Sequence, residues 1–525
     1  MEAPGGKSAN LPRSNDDMGF VFPTVFTLSQ EDNAYPGCPR EPMTLVEVDL
    51  LRLRASIMRK ERWADKLDDA GVVQRWRREA AEQGAEEEAV DFVLDELRHL
   101  ASLRQGPIEP AVVDGVWQAD GIVDGDLTAD LLSGVAKLED VPEEARDWHP
   151  GSDNQVLDLV HPSLFPFVAG VSRQTEIPEP WDKFVGTGEV QAIDNRPNWD
   201  LRGGWHSLPQ GRSKAYQWLP AEFAVLHDGS VAIESYINNL HPLLHPGLYR
   251  TIGAIFGKFV PLFERVLTDA LSPRLLRVVP QSCDYSEVPP VPAFKAPDAP
   301  EQSVNLHGRK LQVIVKLANI VLTPDKPSYS GGAWHVEGME NEAIVATGIF
   351  YYAQDNIAES RLAFRQAVSE PDYEQCDDEG VMRVYGMENE GPLNQNLGSV
   401  ITVGGRCLAF PNMLQHRVTP FCLKDATQPG YRKILVFFLV DPCRRVLSTA
   451  TVPPQQRGWL KMEIAVALRG IFPQTITDRV SKAMDWPVRL EEAKRHREEL
   501  MKERKFFVNE ATTELFEREF SLCEH

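Results

Sequence analysis

The sequence contains no Cys-x-x-Cys pair. Its cysteines are odd in number and scattered along the chain, at positions 38, 283, 376, 407, 422, 443 and 523. This spacing fits neither a disulfide framework nor a zinc ribbon. Such cysteine usage is typical of a reducing compartment, so we expect a cytoplasmic protein and leave a nuclear location open.

Long apolar runs are also missing. No segment approaches the roughly 18 consecutive apolar residues of a membrane-spanning helix, and residues 1–20 lack the apolar stretch of a signal peptide. We therefore predict no membrane association. We also expect the polar residues 1–20 to be disordered.

Positive charge is in deficit. The chain has 55 Lys and Arg residues against 77 Asp and Glu residues, a formal net charge of −22. Nucleic-acid binding needs a basic footprint, so we expect no nucleic-acid partner. The sequence also has no G-x-G-x-x-G entering a helix, no Walker loop, no H-E-x-x-H and no G-x-S-x-G. These absences disfavour nucleotide-binding proteins, metalloproteases and hydrolases.

Periodicity divides this long chain into parts. Between about residues 43 and 104, the apolar positions Val46, Leu50, Leu53 and Ile57 recur on one face of a 3.6-residue period, which predicts helices. Between 309 and 442, short Val-, Ile-, Phe- and Tyr-rich segments follow a period of two, which predicts the strands of a sandwich or jelly roll. The Pro-rich stretch 286–302 predicts a surface linker.

The predicted organisation is an α+β chain with four parts. A disordered N-terminus (1–20) precedes an N-terminal helical region (21–150), a strand-rich core with insertions (151–460) and C-terminal helices (461–525). We expect residues 368–394 to be an acidic, loop-like insertion. The charged stretch 490–507 predicts a long helix that is exposed or packs against a partner. The oligomeric state is left open.

The segment GGAWHVEGM is the strongest chemical signal in the chain. Residues i and i+2 of a strand point to the same face, so we expect His335 and Glu337 to project together from one strand. With one more imidazole they would form a 2-His-1-carboxylate triad, the iron(II) site that leaves one face of the metal open. The histidines downstream are 416, 496 and 525. His416 is the best remaining candidate, since His496 lies in a charged helical stretch and His525 is terminal.

Arg432 opens the apolar strand GYRKILVFFLV, 16 residues after His416. Burying a guanidinium in a strand costs free energy unless it pairs with an anion. Arg can bind a carboxylate through two parallel hydrogen bonds. We interpret Arg432 as the anchor of a bound carboxylate. Lys433, on the opposite face, is the second choice, and a salt bridge between Arg432 and a protein carboxylate is the alternative reading.

The remaining candidates have simpler interpretations. We expect His241 and His245 to cap or pack, and His161 to occupy a turn, because each precedes a proline. Trp334 is expected to pack around the metal site. Asn319, Thr347 and Tyr351 lie on predicted strands, where each could donate to a ligand or serve only the sheet and core.

Several long segments resemble the fungal family catalogued as domain of unknown function 4246. The similarity runs from about residue 20 to beyond 500 and is carried by segments such as VLDLVHPSLFPFV, SYINNLHP, LYRTIGAIFGKFVPLFERVLTD, GGAWHVEGMENEAIVATGIFYY and TVPPQQRGW. The central part of that family is similar to iron(II)/2-oxoglutarate oxygenases with a double-stranded β-helix, also called a jelly roll.

The resemblance implies specific roles for the candidate residues. His335, Glu337 and His416 would bind Fe(II), and Arg432 would hold the distal carboxylate of the co-substrate 2-oxoglutarate. Many such oxygenases have Asp where this chain has Glu337, and the longer Glu arm makes the metal position harder to infer.

The expected function is therefore that of a non-haem dioxygenase. It would hydroxylate or desaturate a small molecule, such as an amino acid or a fungal metabolite, with a protein side chain as another possible substrate. Two alternatives stay open: a cupin-like metal enzyme that does not use 2-oxoglutarate, and a non-catalytic binding or scaffold protein.

Overall fold

The computed structural model describes residues 22–26, 40–178, 181–184, 187–190, 211–273, 276–280, 287–374, 376–467, 473, 475–476, 479 and 488–522. The N-terminus predicted to be disordered, residues 1–20, lies outside these described residues, as does His525. Part of the predicted C-terminal helical region also lies outside them.

The helices of the described residues stand mainly before and after the strand-rich part of the chain. They are α1 (Leu45–Met58), α2 (Ala70–Glu82), α3 (Glu87–Ser102), α4 (Gly125–Glu139), α5 (Trp181–Phe184), α6 (Pro246–Leu271), α7 (Asp378–Tyr385), α8 (Arg457–Ala467) and α9 (Leu490–Ala511). Within the described ranges, none of them is both long and apolar enough to span a bilayer.

The first three helices follow the periodicity of the sequence. Thr44 caps α1 by accepting a hydrogen bond from the Glu47 amide, and Leu50 and Ile57 are buried as predicted. Leu50 and Ile57 pack with apolar residues of α2 and α3 in one cluster. The Pro-rich stretch from residue 287 has no regular structure, but Phe294 packs edge-to-face on Phe92 of α3, so it lies against this cluster.

A buried network of ion pairs connects helices α1 and α3. Arg277 donates to Glu96 at 2.8 Å and to Asp114 at 2.7 Å, and it also contacts Glu47 of α1. Arg54 also forms ion pairs with Glu96 and Asp114. Removing one partner would leave a buried charge uncompensated, which typically costs about 3–5 kcal/mol, so the network fixes α1 and α3 relative to each other.

The strands of the described residues are short except in the core. They are β1 (Ile108–Pro110), β2 (Trp117–Asp120), β3 (Val156–Val160), β4 (Phe167–Val168), β5 (Arg173–Gln174), β6 (Glu189–Val190), β7 (Tyr216–Gln217), β8 (Ala221–Val225), β9 (Val231–Ile233), β10 (Lys310–Leu322), β11 (Ser328–Tyr329), β12 (Ile344–Asp355), β13 (Ser360–Ala367), β14 (Asn394–Thr402), β15 (Arg406–Pro411), β16 (Gln415–Val418), β17 (Phe421–Cys422) and β18 (Gly430–Val440).

Nine of these eighteen strands belong to one large antiparallel sheet. Its order is β1-β2-β15-β12-β18-β10-β8-β9, and β3 also pairs with β10. A smaller antiparallel sheet has the order β14-β13-β16. β1 and β2 lie in the region predicted to be helical, so the large sheet extends across the boundary expected at residue 150. Strands of three or four residues are too short to show an alternation in the sequence.

The two faces of the large sheet pack against different partners. One face, which includes Phe350 and Phe437, is covered by helix α6. The other face, which includes Ile349 and Phe438, packs against Leu362 and Phe364 of the small sheet. We call this second face the inner face, because it is enclosed between the two sheets.

Two parts of the chain differ from their expected structure. The insertion 368–394 is not only a loop: it contains α7, whose Val381 and Val384 are buried against Phe520 near the C-terminus. Helix α9 does form over the charged stretch, but it packs against its own chain, with Ala493 and Leu500 buried. Sequence periodicity detects an apolar stripe but not the surface that will cover it.

Gly348 of β12 lets helix α6 approach the large sheet closely. A Cβ at this position would lie 2.7 Å from Cδ1 of Phe259 and 2.8 Å from Cζ of Phe263. We therefore expect Gly348→Ala to destabilise the protein by about 1–3 kcal/mol through overpacking, measured as a lower midpoint of denaturant unfolding. Gly125→Ala is the matched control, because nothing lies within 4 Å of the added methyl, and equal midpoints for the two variants would contradict this role.

Candidate metal centre

One backbone pairing brings the two histidine-bearing segments together. The His335 amide donates to the His416 carbonyl at 3.2 Å, and the His416 amide donates to the His335 carbonyl at 3.0 Å. The prediction that His335 and Glu337 share a strand is wrong in this detail. His335 forms an isolated bridge, and Glu337 lies in a bend before Gly338, whose φ is +71°. The Gly332 amide also donates to the Val418 carbonyl at 3.0 Å, so the segment stays against β16 without forming a regular strand.

The three predicted ligands nevertheless converge. Nε2 of His416 lies 3.3 Å from Oε1 of Glu337, and Nε2 of His335 lies 3.7 Å from the same oxygen. All three ligand atoms lie within 4.8 Å of one another. Neighbouring ligands at right angles around a divalent ion, each about 2.1 Å away, are about 3 Å apart, so small adjustments would complete a facial triad.

The hydrogen bond of the His335 imidazole suits metal binding. Nδ1 of His335 lies 2.8 Å from the Ala333 carbonyl, so Nδ1 donates to that carbonyl and a neutral His335 has its lone pair on Nε2. His335 keeps 38% of its side chain exposed, whereas His416 keeps 4%. The site is therefore open on the His335 side and closed on the His416 side.

Charge complementarity accompanies this geometry. Burial alone would raise the pKa of Glu337, but hydrogen bonds and charge from His335 and His416 hold it well below its usual range. Burial lowers the pKa of His416, and the charge of His335 lowers it further. Despite the burial of His335, the hydrogen bond and charge of Glu337 raise its pKa. A divalent cation would bind this donor set with both imidazoles neutral and the carboxylate ionised.

Asn412 supports the segment that carries Glu337. Its Oδ1 accepts from the Glu337 amide at 2.8 Å, and its Nδ2 donates to the carbonyls of Glu337 and Ile344 at 2.9 and 3.0 Å. The asparagine is almost fully buried. Sequence reasoning missed this residue, although a polar side chain directly after strand β15 and four residues before His416 was an available signal.

Arg432 is buried without a carboxylate partner among the described residues. Its Nη1 donates to Oγ1 of Thr402 at 3.1 Å, its Nε has no hydrogen-bond partner, and its guanidinium lies over the ring of Tyr351. Burial lowers its pKa, and the hydroxyls of Tyr351 and Tyr329 only partly oppose that effect. The alternative of a salt bridge is therefore not what these residues show. Sequence reasoning did not single out Tyr329.

Lys433 lies on the opposite face, as predicted from strand parity. It forms an ion pair with Glu139 at 2.7 Å. Asn319 also belongs to that outer face, where it donates to Glu139. Thr347 and Tyr351 belong to the inner face, and the hydroxyl of Thr347 is buried with no partner among the described residues. The structure thus separates candidates that the sequence left equivalent.

Trp334 and His241 have packing contacts rather than ligand contacts. Trp334 lies between the guanidiniums of Arg365 and Arg417, at 5.0 and 4.5 Å from its ring, so it packs on these cations rather than around the triad. His241 packs on Trp459, in keeping with its expected role. His245 occupies the N-cap position of α6 but its side chain makes no capping hydrogen bond.

A second cluster of potential ligands consists of His149, Asp158 and His161. Nδ1 of His149 lies 2.8 Å from Oδ2 of Asp158, and Nδ1 of His161 accepts from the Ser163 amide at 3.2 Å. A neutral His161 therefore carries its proton on Nε2, the atom that a metal would need. This cluster is better described as a hydrogen-bonded group than as a metal site. His161 also lies in a turn, as predicted.

Comparisons with known proteins agree with the resemblance read from the sequence. The chain belongs to the family described as protein of unknown function (DUF4246), whose sequence profile matches residues 87–463. No curated protein matches the chain.

Solved structures show only distant similarity. An Fe(II)/α-ketoglutarate-dependent dioxygenase, TqaL, is 15% identical, with 43% of this chain and 67% of that chain covered and a TM-score of 0.22. A dioxygenase for auxin oxidation in rice is 12% identical, with 62% and 73% covered and a TM-score of 0.22. IDO from Bacillus thuringiensis is 10% identical, with 26% and 50% covered and a TM-score of 0.16. At such TM-scores these similarities define neither the fold nor the activity of this chain.

The support that Asn412 gives to Glu337 can be tested by metal binding. We expect Asn412→Ala to weaken Mn²⁺ binding about 10- to 100-fold, because an unsupported ligand loses its orientation; calorimetric titration would measure this. Asn356→Ala is the control, since Asn356 fastens a loop through the carbonyls of Asp425 and Gln428. Equal affinities in both variants would show that Asn412 serves stability only.

Proposed function

We propose that this protein is an iron(II)/2-oxoglutarate-dependent oxygenase with a double-stranded β-helix, or jelly-roll, core. The large and small antiparallel sheets enclose an apolar interior, and the triad lies where β16 of the small sheet meets the His335 segment. Metal ligands at the mouth of two facing sheets fit this architecture. The resemblance of the sequence supports the same reading.

The observation that carries the proposal is the buried Arg432 on the inner face. Along β13, Phe364 pairs with His416 and Ser360 pairs with Thr402, the residue that Arg432 contacts. Four residues of β13, about 13 Å, therefore separate the position of His416 from that of Thr402 along the strand. Once the lengths of the two side chains are subtracted, a five-carbon dicarboxylate can bridge from a metal at the triad to Arg432.

The metal ligands and Arg432 would have separate roles. His335, Glu337 and His416 would hold Fe(II), and Arg432 would bind the far carboxylate of 2-oxoglutarate with Tyr329 and Tyr351 beside it. When bound, the metal and co-substrate supply the oxygen activation. The protein orients both and keeps water from the apolar interior, whose wall includes Ile349 and Phe438.

The expected overall reaction consumes the substrate, 2-oxoglutarate and dioxygen and yields succinate, carbon dioxide and a hydroxylated product. Desaturation would require only a different substrate position. We propose a small-molecule substrate, such as an amino acid or a fungal metabolite. Extract incubated with enzyme, iron, ascorbate and 2-oxoglutarate should then contain a compound that has gained one oxygen or lost two hydrogens, detected by untargeted mass spectrometry.

Binding of 2-oxoglutarate tests the role of Arg432 directly. Under anaerobic conditions, iron(II) and 2-oxoglutarate should give a metal-to-ligand charge-transfer absorption in the wild type. Arg432→Met should weaken 2-oxoglutarate binding by about 2–4 kcal/mol, because charge-assisted hydrogen bonds are lost, which is roughly 30- to 1,000-fold. Arg432→Lys should restore part of the affinity.

Lys433→Met is the matched control, since Lys433 pairs with Glu139 on the other face. It should bind 2-oxoglutarate as the wild type does. Arg432→Met should not lower the melting temperature of the ligand-free chain, because it removes an unpaired buried charge. Absence of the charge-transfer band in folded wild-type protein would rule out the oxygenase proposal. Turnover without 2-oxoglutarate would favour a metal enzyme of a different class.

A further inference from the structure

Lys316 is a charged residue on the inner face that the proposed function does not use. It lies on β10 opposite Val436 of β18 and two residues from Ile314, which both belong to the inner apolar cluster. Alternation along the strand therefore directs its side chain between the sheets. It interacts electrostatically with His335 of the triad on one side and with Asp158 and His161 on the other.

Other cations near this part of the interior are already paired. Arg504 of α9 forms an ion pair with Glu342 at 2.6 Å and stacks on Trp218, and Arg497 forms one with Asp147 at 2.6 Å. Within the described part of the chain, Lys316 has no carboxylate within salt-bridge distance. Unlike Arg432 it is only half-buried, so its ammonium can meet a ligand that enters from solvent.

A hydrogen-bonding pair lies beside Lys316 on the same face. Asp158 of β3 is opposite Ala318 of β10, and cross-strand partners share a face of the sheet. Its Oδ2 accepts the Nδ1 proton of His149 at 2.8 Å, while its buried Oδ1 has no hydrogen-bond partner. Because Nδ1 of His149 donates, Nε2 keeps a lone pair, and 26% of that side chain is exposed.

We propose that Lys316 and the Asp158–His149 pair form the substrate-binding subsite of the candidate metal centre, and that its ligand is a small carboxylic acid carrying an amine or a hydroxyl. The carboxylate binds the ammonium of Lys316, and the amine or hydroxyl donates to Nε2 of His149. The negative charge of Asp158 favours binding of a ligand group that donates a hydrogen bond to His149. The subsite's catalytic meaning rests on the proposed function, whereas its binding of the acid does not.

The competing role for Lys316 is a distant counterion of Asp158. That role does not require a ligand, and it makes the opposite prediction for substitution. A structural counterion would stabilise the folded chain, so Lys316→Met would lower the melting temperature. For a ligand-binding ammonium, the attraction to Asp158 is offset by the effect on His161 and His335, so its removal leaves the melting temperature unchanged and weakens the binding of the acid.

Saturation-transfer NMR on the full-length, metal-free chain tests the subsite. The probes are the proteinogenic amino acids and the corresponding 2-hydroxy acids. Their truncated analogues are the acids without the amine or hydroxyl, and the amines or alcohols without the carboxylate. We expect at least one amino or hydroxy acid to bind the wild type and both truncated analogues to bind at least tenfold more weakly. In Lys316→Met the same acid should bind at least tenfold more weakly, because a charge-assisted hydrogen bond is lost.

Lys310→Met is the control on the same strand, since Lys310 is exposed and pairs with Glu234; it should bind as the wild type does. The subsite is rejected if no acid in the panel binds the wild type, or if Lys316→Met binds the acid unchanged. The charge-transfer titration reports separately on the oxygenase. Binding through Lys316 without that band would reject the oxygenase alone, and a normal band with binding insensitive to Lys316 would reject the subsite alone.

Discussion

The candidate site depends on one backbone pairing, the two hydrogen bonds between His335 and His416. This bridge sets the register between an irregular segment and strand β16, and so it decides that the imidazoles and the Glu337 carboxylate face one another. A shift by one residue would turn the side chains to the opposite face. Asn412 strengthens the bridge by binding the backbone on both sides of Glu337. The candidate ligands thus converge where an irregular segment meets strand β16, outside regular sheet pairing.

Charges inside the fold separate structural residues from candidate ligand-binding ones. Arg277, Arg504 and Lys433 each meet a protein carboxylate at 2.6–2.8 Å, so the chain itself compensates their charge. Arg432 and Lys316 have no such partner among the described residues. Because an unpaired charge is costly to bury, we propose that an anion from outside the chain pairs with each of them. The two positions lie on one inner face, and Lys316 interacts electrostatically with His335 of the candidate triad.

The surrounding elements hold that face in place. Helix α6 packs so closely on the outer face that β12 needs a glycine at the contact. On the other side, α9 brings Arg504 against Trp218 and next to Glu342. The C-terminal segment also reaches the small sheet, where Thr512 accepts from Gln415 beside His416. The helix predicted to be exposed or to pack against a partner therefore packs, with the segment after it, against its own chain.

The sequence by itself determined the strand-rich core, the N-terminal helices and three ligand candidates, because periodicity and residue chemistry are local properties. It also indicated that Arg432 and Lys433 would face opposite ways. Only the tertiary structure decided that β1 and β2 join the large sheet, that Asn412 supports Glu337, and that Arg432 finds no carboxylate in the described chain. It alone placed Lys316 on the inner face, where it interacts electrostatically with His335 and Asp158. Pairings between residues far apart in the chain depend on how two sheets stack, which no local pattern encodes.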